Sequence, residues 1–393
     1  MPLSADTKDT PLLINLKQVE MQLAQLLIQF FSMQSQAGIN LWVKDTPYTL
    51  QNGTIIKLKN TVFSRERKEG HSGLRYELIS NKPSLGVGTF GQVYKIKSTM
   101  SLDEDSIKIK KQRKDGKRRV VKIQRHHPSN PLTALDNEYR LTKKTAHLAV
   151  KKPTIVTNST GAQLSFTTMN QLPGDELFYI LDEREKLSAL QRIELSLALV
   201  NALEEQVCNQ GIVHRDIKPE NILVHLGPPI QIHFIDFGLS KDAIHLNTII
   251  NGTPPYLAPE VRQYSKLINF KADVFSLARV IALLWNVDYS TYDDLSVYFN
   301  ATPVRMLCSI FSGIKVLDIK AKNLIKDTLL GMLNLNPETR YSINQARVGF
   351  ESARAIIKLN DKSPLKAHSL FQTHNRKEHN ASEETLVKKN SIP

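Results

Sequence analysis

Ile212-Val213-His214-Arg215-Asp216-Ile217-Lys218-Pro219-Glu220-Asn221-Ile222-Leu223-Val224 sets Asp216, Lys218 and Asn221 between apolar residues. Phe234-Ile235-Asp236-Phe237-Gly238 follows with a further carboxylate ahead of a glycine. Toward the amino terminus, Ser84-Leu85-Gly86-Val87-Gly88-Thr89-Phe90-Gly91-Gln92-Val93 spaces three glycines so that backbone amides can approach a phosphate chain without side-chain clash. A dinucleotide-binding loop shares that spacing but leads from a strand into a helix. Here Val93-Tyr94-Lys95-Ile96-Lys97 continues as a strand, which predicts a strand-loop-strand flap. Farther on, Val120-Val121-Lys122-Ile123 places an ammonium inside an apolar strand, a costly position unless an anion meets it. Glu138 is the only glutamate between Ile123 and Gly161, and its segment opens at Asn130-Pro131 with helix-initiation chemistry. It is the expected partner of Lys122.

In order and spacing, the glycine loop, the strand lysine, the His214-Arg215-Asp216 run with Lys218 and Asn221, and the Asp236-Phe237-Gly238 triplet resemble the eukaryotic-type protein kinase family. The resemblance implies an α+β, bilobal protein kinase fold, with a β-rich N-lobe carrying one regulatory helix and an α-rich C-lobe. It also implies ATP-dependent phosphorylation of serine or threonine on protein substrates, with ATP and Mg2+ as cofactors and Mn2+ as the alternative ion. Phosphoryl transfer through a loose transition state needs charge neutralisation and alignment more than covalent chemistry. By resemblance, Asp216 orients the substrate hydroxyl and takes its proton. Lys218 stabilises the transferring phosphate, and Lys122, held by Glu138, meets the α- and β-phosphates. Asn221 and Asp236 present oxygens to the metal. Gly86, Val87, Gly88 and Gly91 form the flap, and Val87, Val93 and Leu223 sandwich the adenine. Met169 is the gatekeeper, beside the backbone of Asn170 and Leu172 at the purine edge.

Thr253-Pro254-Pro255-Tyr256-Leu257-Ala258-Pro259-Glu260 is similar to the family's substrate-docking segment, with Arg340 where kinases keep the arginine that pairs with Glu260. Asp273 matches the aspartate that braces the catalytic loop. Lys218 together with Thr253 resembles the serine/threonine rather than the tyrosine pattern. Arg215 beside Asp216 suggests a loop that phosphate could order, with Thr248 as the first site and Ser240 as the second. Three features depart from the family. Val120 stands where a small alanine is usual, Ala278 where the central helix usually has glycine, and Thr99 to Arg118 reads as an insertion. Crowding at Val120 keeps open an alternative, a kinase-fold binding module with weak or no turnover.

Composition sets the frame around these motifs. The 393 residues are 41% hydrophobic and 23% charged, ordinary for a folded protein. The two cysteines, Cys208 and Cys308, have no metal-ligand or CxxC spacing. Fifty-two Lys plus Arg against 38 Asp plus Glu give a formal charge of +14, which attracts anions without choosing among ATP, acidic proteins, nucleic acid and membrane. The run Lys108, Lys110, Lys111, Arg113, Lys114, Lys117, Arg118 and Arg119 flanks Asp115-Gly116 and predicts an exposed hairpin at 108–119, open to an anionic partner; nucleic acid is not expected there. No transmembrane segment or signal peptide is legible.

Apolar residues at helical spacing predict an amphipathic helix from Pro11 to Gln36, and Asn52-Gly53 a turn before a strand. Leu187 to Cys208 predicts a long buried helix stopped at Gly211. The expected organisation is an extension over 1–74, a kinase domain over 75–350 with its N-lobe about 75–168 and C-lobe about 173–350, and a helix end and polar tail over 351–393. These features suit a cytoplasmic protein. The divergent flanks around a eukaryotic-type core also suit a bacterial effector delivered into host cytosol.

Overall fold

Alternation governs the first part of the chain. In Leu74–Ile79 the residues Tyr76 and Leu78 point to one side and Glu77 to the other, all of them buried, so this strand is covered on both faces. The computed structural model describes residues 11–67, 73–88, 91–112, 118–127, 131–157, 161–243, 252–262, 268–288 and 301–360. In chain order the first elements are β1 (Leu12–Ile14), α1 (Met21–Gln36), β2 (Leu41–Trp42), β3 (Pro47–Thr49), β4 (Ile55–Leu58), β5 (Val62–Glu66), β6 (Leu74–Ile79) and β7 (Gly86–Gly88). Then come β8 (Gly91–Leu102), β9 (Ile107–Lys111), β10 (Arg119–His126), α2 (Leu132–Lys144), β11 (Thr154–Thr157) and β12 (Gln163–Asn170).

The main sheet runs β11-β12-β10-β8-β6-β5-β2, with β7 and β9 both pairing on β8. Strand twist curls it until β11 approaches β5: Thr154 Oγ1 donates to the Ser64 carbonyl at 3.0 Å, and Phe63 stacks on Phe166 with centroids 5.1 Å apart. Phe63, Ile79, Ile96, Val121, Ile123 and Phe166 fill the inside of the curl. On the other side α1 buries Leu27, Phe30 and Phe31 against Trp42, Tyr76 and Met100. At roughly 1.5–3 kcal/mol for each large side chain, this burial ties the amino-terminal segment to the lobe.

One expectation is corrected. The helix starts at Met21, not Pro11, because Leu12–Ile14 pairs in parallel with Ile56–Leu58, and those ladder bonds replace helical ones. The turn of the hairpin expected about Asp115-Gly116 falls at 113–117, outside the described residues, and β9 itself forms a hairpin with β8. That hairpin turns at Asp103–Ser106, where the Asp103 N–H donates to the Ser106 carbonyl at 2.9 Å. Ile107 and Ile109 pack toward α1, which leaves Lys108 and Lys110 on the opposite face and decides the pairing.

The second lobe is helical. It contains β13 (Asp175–Glu176), α3 (Leu177–Asp182), α4 (Ala189–Gln206), β14 (Ile212–Val213), β15 (Ile222–His225), β16 (Gln231–Phe234) and β17 (Lys241–Asp242). It continues with α5 (Pro259–Arg262), α6 (Phe270–Leu284), α7 (Pro303–Met306), α8 (Ile319–Met332) and α9 (Ile343–Asn360). A capping box between Ser188 and Gln191 starts α4, and Gly211, at φ +66°, closes the turn after it as expected. The central helix α6 is buried almost all round, with Ala278 fully buried, so it forms the spine of the lobe. Together the lobes make the bilobal α+β arrangement that the resemblance implies. Among the described residues, no helix is long and apolar enough to cross a membrane.

Candidate active site

Strand β10 delivers Lys122 to the cleft because Val121 and Ile123 take the opposite, interior face. Helix α2, in the same lobe, presents Glu138 to it, and Leu135 and Leu141 on that helix are buried. Lys122 Nζ lies 2.8 Å from Glu138 Oε1 and 2.9 Å from Asp236 Oδ1. Burial alone would pull the ammonium pKa down, but the Asp236 and Glu138 carboxylates outweigh it and hold it above its ordinary value. Burial likewise opposes the Asp236 charge, yet Lys122 keeps that carboxyl below its ordinary value. Asp236 itself sits at φ +63°, with Phe237 buried behind it against His214, ring centroids 4.8 Å apart.

The loop between β14 and β15 is braced from below by Asp273, fully buried on α6. Its two oxygens accept the N–H groups of His214 at 2.7 Å and Arg215 at 2.9 Å. Burial pushes the Asp273 carboxyl up, against those bonds. Above this brace Asp216 collects its partners. Asn221 Nδ2 donates to the Asp216 carbonyl and to Oδ2, each at 2.9 Å, while Thr253 Oγ1 donates to Oδ1 at 2.7 Å. Lys218 Nζ stands 3.0 Å from Thr253 Oγ1 and 3.2 Å from Asp216 Oδ2. Thr253 arrives because Gly252 turns at φ +123°, where a Cβ would lie 2.5 Å from the Arg215 carbonyl oxygen. Beyond it, Glu260 and Arg340 form a bidentate, buried pair at 2.6 and 2.9 Å.

The glycine flap is formed by β7 and β8, pairing Gly86 with Val93 and Gly88 with Gly91. A Cβ on Gly91 would lie 2.4 Å from the Ile123 carbonyl oxygen, so only glycine lets β8 approach β10 here. Val87 is placed by its backbone only. Val93, Met169, Asn170, Leu172 and Leu223 are all half-buried, and Val93 stands opposite Lys122 in the ladder. Met169 pairs with Val120, which is only 5% exposed. The Asn170 N–H is taken by the Leu148 carbonyl at 2.8 Å.

Ser240 is corrected as a phosphorylation site, because it is fully buried and its hydroxyl donates to the His214 carbonyl at 3.1 Å. Thr248 lies outside the described residues. Sequence reasoning missed three supports. Gln124 Nε2 reaches Glu138 Oε2 at 3.2 Å, and Asn137 Nδ2 reaches the Ser240 carbonyl at 3.1 Å. On β17, Asp242 receives Arg140 Nη1 at 3.1 Å and Lys144 Nζ at 2.8 Å, and the Arg140 bond above all holds its carboxyl below the usual range. The four-residue spacing of Arg140 and Lys144 on one helix face was the available signal.

The protein kinase domain description matches residues 79–348. The chain is 28% identical over 264 residues to the cAMP-dependent protein kinase catalytic subunit PRKX of Mus musculus, covering 67% of this chain and 68% of that protein. It is 30% identical over 251 residues to the serine/threonine-protein kinase SCH9 of Candida albicans, covering 59% of this chain and 28% of that protein. It is 27% identical over 296 residues to CBL-interacting protein kinase 28 of rice, covering 72% and 61%. The aligned region thus spans about two thirds of the mouse relative and less than a third of the fungal one. With the family match extending over most of the chain, this protein belongs to the protein kinase family.

Proposed function

We propose that this chain is a catalytically competent kinase that transfers the γ-phosphoryl group of ATP to serine or threonine hydroxyls of another protein. The observation that carries the reading is Lys122 held between Glu138 and Asp236 while Asp216 is engaged by Lys218, Asn221 and Thr253. In that arrangement Asp216 lies ready to orient an incoming hydroxyl and accept its proton. Lys218 is within reach of the same oxygen and offsets charge on the transferring group. Asn221 commits its amide nitrogen to Asp216, which leaves its amide oxygen for a hard cation alongside the Asp236 carboxylate. That donor set fits magnesium, which when bound would neutralise phosphate charge. Lys122 would hold the α- and β-phosphates. The Asn170 carbonyl and Leu172 N–H would read the purine edge, with Met169 behind them and Val87, Val93 and Leu223 about the ring. Gly86, Gly88 and Gly91 would close over the phosphates. Thr253 bridging Lys218 and Asp216 supports hydroxyls of the serine and threonine kind.

The test is transfer of labelled phosphate from ATP to a mixed panel of proteins, with and without magnesium, for the wild type and Asp216→Ala. Expected is metal-dependent labelling on serine and threonine, reduced about 10²–10⁴-fold in the variant. Equal labelling by both proteins would overturn the assignment of Asp216. Nucleotide binding without any transfer would instead favour a docking module.

A further inference from the structure

The basic residues singled out in the sequence are not used by the cleft, and the fold gathers two of them, Lys110 and Arg119, with cations from elsewhere in the chain. One end of the curled sheet forms a cavity of about 340 Å³ lined by Arg65, Arg67, Arg75, Lys110, Arg119 and Lys151, with the hydroxyls of Thr99 and Ser101. The ladder explains the convergence. Arg65 lies opposite Arg75, Glu77 opposite Thr99, and Thr99 opposite Lys110, so four adjacent strands project polar groups to one face.

Glu77 is the acid at the centre, and it is fully buried. It accepts Arg65 Nε at 2.9 Å and Nη2 at 2.7 Å, and Thr99 Oγ1 at 2.9 Å. Arg75 Nε at 3.4 Å and Arg119 Nη1 at 3.5 Å approach its same Oε1. Both of those nitrogens are buried and make no hydrogen bond among the described residues. Three guanidinium groups therefore share one carboxylate, and Arg67, Lys110 and Lys151 add three more cations to the lining. Burial first, then repulsion from neighbouring arginines, pushes Arg75 and Arg119 below their ordinary pKa in spite of Glu77. A concave site with surplus cations and the Ser101 hydroxyl is suited to a multiply charged oxyanion, and the guanidinium fork matches phosphate oxygens. The volume lies at the small end of ligand cavities.

We propose that this mouth binds a small soluble phosphate polyanion at a site separate from the nucleotide cleft. The separation follows from strand alternation: Arg119, Val121 and Ile123 share the interior face of β10, whereas Lys122 points to the other.

The test is calorimetric titration of the full chain with inositol hexakisphosphate, without nucleotide or divalent metal, and with pyrophosphate as the smaller probe. Expected is saturable one-to-one binding, weaker for pyrophosphate, that falls at least about ten-fold in Arg75→Gln and in Lys110→Glu. Lys110 is exposed, so its replacement leaves the fold in place should Arg75→Gln destabilise it. Lys122→Met reports on the cleft, and Lys320→Glu combined with Lys326→Glu, exposed on α8, reports on general charge. Both controls should bind within about two-fold of wild type. Absence of saturable binding overturns the site, as does unchanged affinity in Lys110→Glu or an equal loss in either control.

Discussion

Three residues apart on β10, Lys122 and Arg119 enter buried charge clusters of opposite composition. At the cleft one ammonium is shared by two carboxylates, Glu138 and Asp236, with Asp216 and Lys218 nearby. At the mouth of the curled sheet one carboxylate, Glu77, is shared by three guanidiniums. Isolated buried charges are costly, so each cluster persists by pairing, and each pairing is incomplete. The sign left over differs: carboxylate oxygens exceed cations in the cleft, and cations exceed carboxylates at the mouth. An unbalanced buried cluster states which charge it can take up, a metal ion in the first case and an oxyanion in the second.

The largest expected effects separate the two clusters by readout. Lys122→Met should cut phosphoryl transfer about 10²–10³-fold. It should change the unfolding free energy by less than about 2 kcal/mol, because Glu138 and Asp236 retain some solvent contact in which to relax. Glu77→Ala should do the reverse, costing about 3–5 kcal/mol in urea unfolding as three guanidiniums lose their shared counter-charge, while the folded fraction keeps its turnover. If Glu77→Ala unfolds no more easily than wild type, the contrast between the clusters fails.

A buried group with no counter-charge should choose neutrality, and His233 sharpens the comparison in this way. Neither ring nitrogen has a partner among the described residues, and the ring stacks on His147 with centroids 5.6 Å apart. Burial first, then His147 and His225, hold its pKa at about 4. The unfolded chain takes a proton near the ordinary value of about 6.5, so the stability that neutral His233 contributes is full above that pH and declines as pH falls toward about 4. Between pH 7.5 and 5 the loss should be about 2 kcal/mol, and His233→Gln should flatten this part of the profile. An unchanged slope in the variant would mean that other groups carry it.

Smaller effects test the edges of the comparison. Val120 is buried against Met169 where the adenine would lie, so Val120→Ala should lower the KM for ATP about five-fold with kcat little changed. A higher KM would show that the valine helps to hold the ring. The exposed pair of Lys186 and Glu183, 3.0 Å apart, serves as the baseline. Lys186→Ala should shift stability by less than about 0.5 kcal/mol in the same urea assay, which sets the scale against which Glu77→Ala is judged.

The two clusters were unequally legible. Asp216, Lys218, Asn221 and Asp236 stand close together in the chain and in a distinctive order, and Lys122 announced itself as an ammonium within an apolar strand. Glu138 followed as the only glutamate available to it. Glu77 gave no such signal, because Arg-Tyr-Glu-Leu is an ordinary strand sequence until β5 and β10 bring their own cations to it. The basic run was visible but was assigned to a turn at Asp115-Gly116, whereas pairing with β8 sets the direction of Lys110. Leu12 and Leu16 fit a helical period, yet Leu12–Ile14 forms a strand, since a strand's partner lies elsewhere in the chain and leaves no local trace.

Read alone, the chain determined its family, its two-lobed plan and the identity of the groups in the cleft. Those depend on residue type and short-range spacing, which the order of amino acids states directly. Only the tertiary structure decided that β2 and β5 of the amino-terminal segment join the main sheet, that Ser240 is sealed from solvent, and that Glu77 lies at the centre of converging arginines. The first and third follow from strand register and the curl that brings β11 to β5, and the second from the Ser240 hydroxyl meeting the His214 carbonyl; all three are settled by packing between residues far apart in the chain.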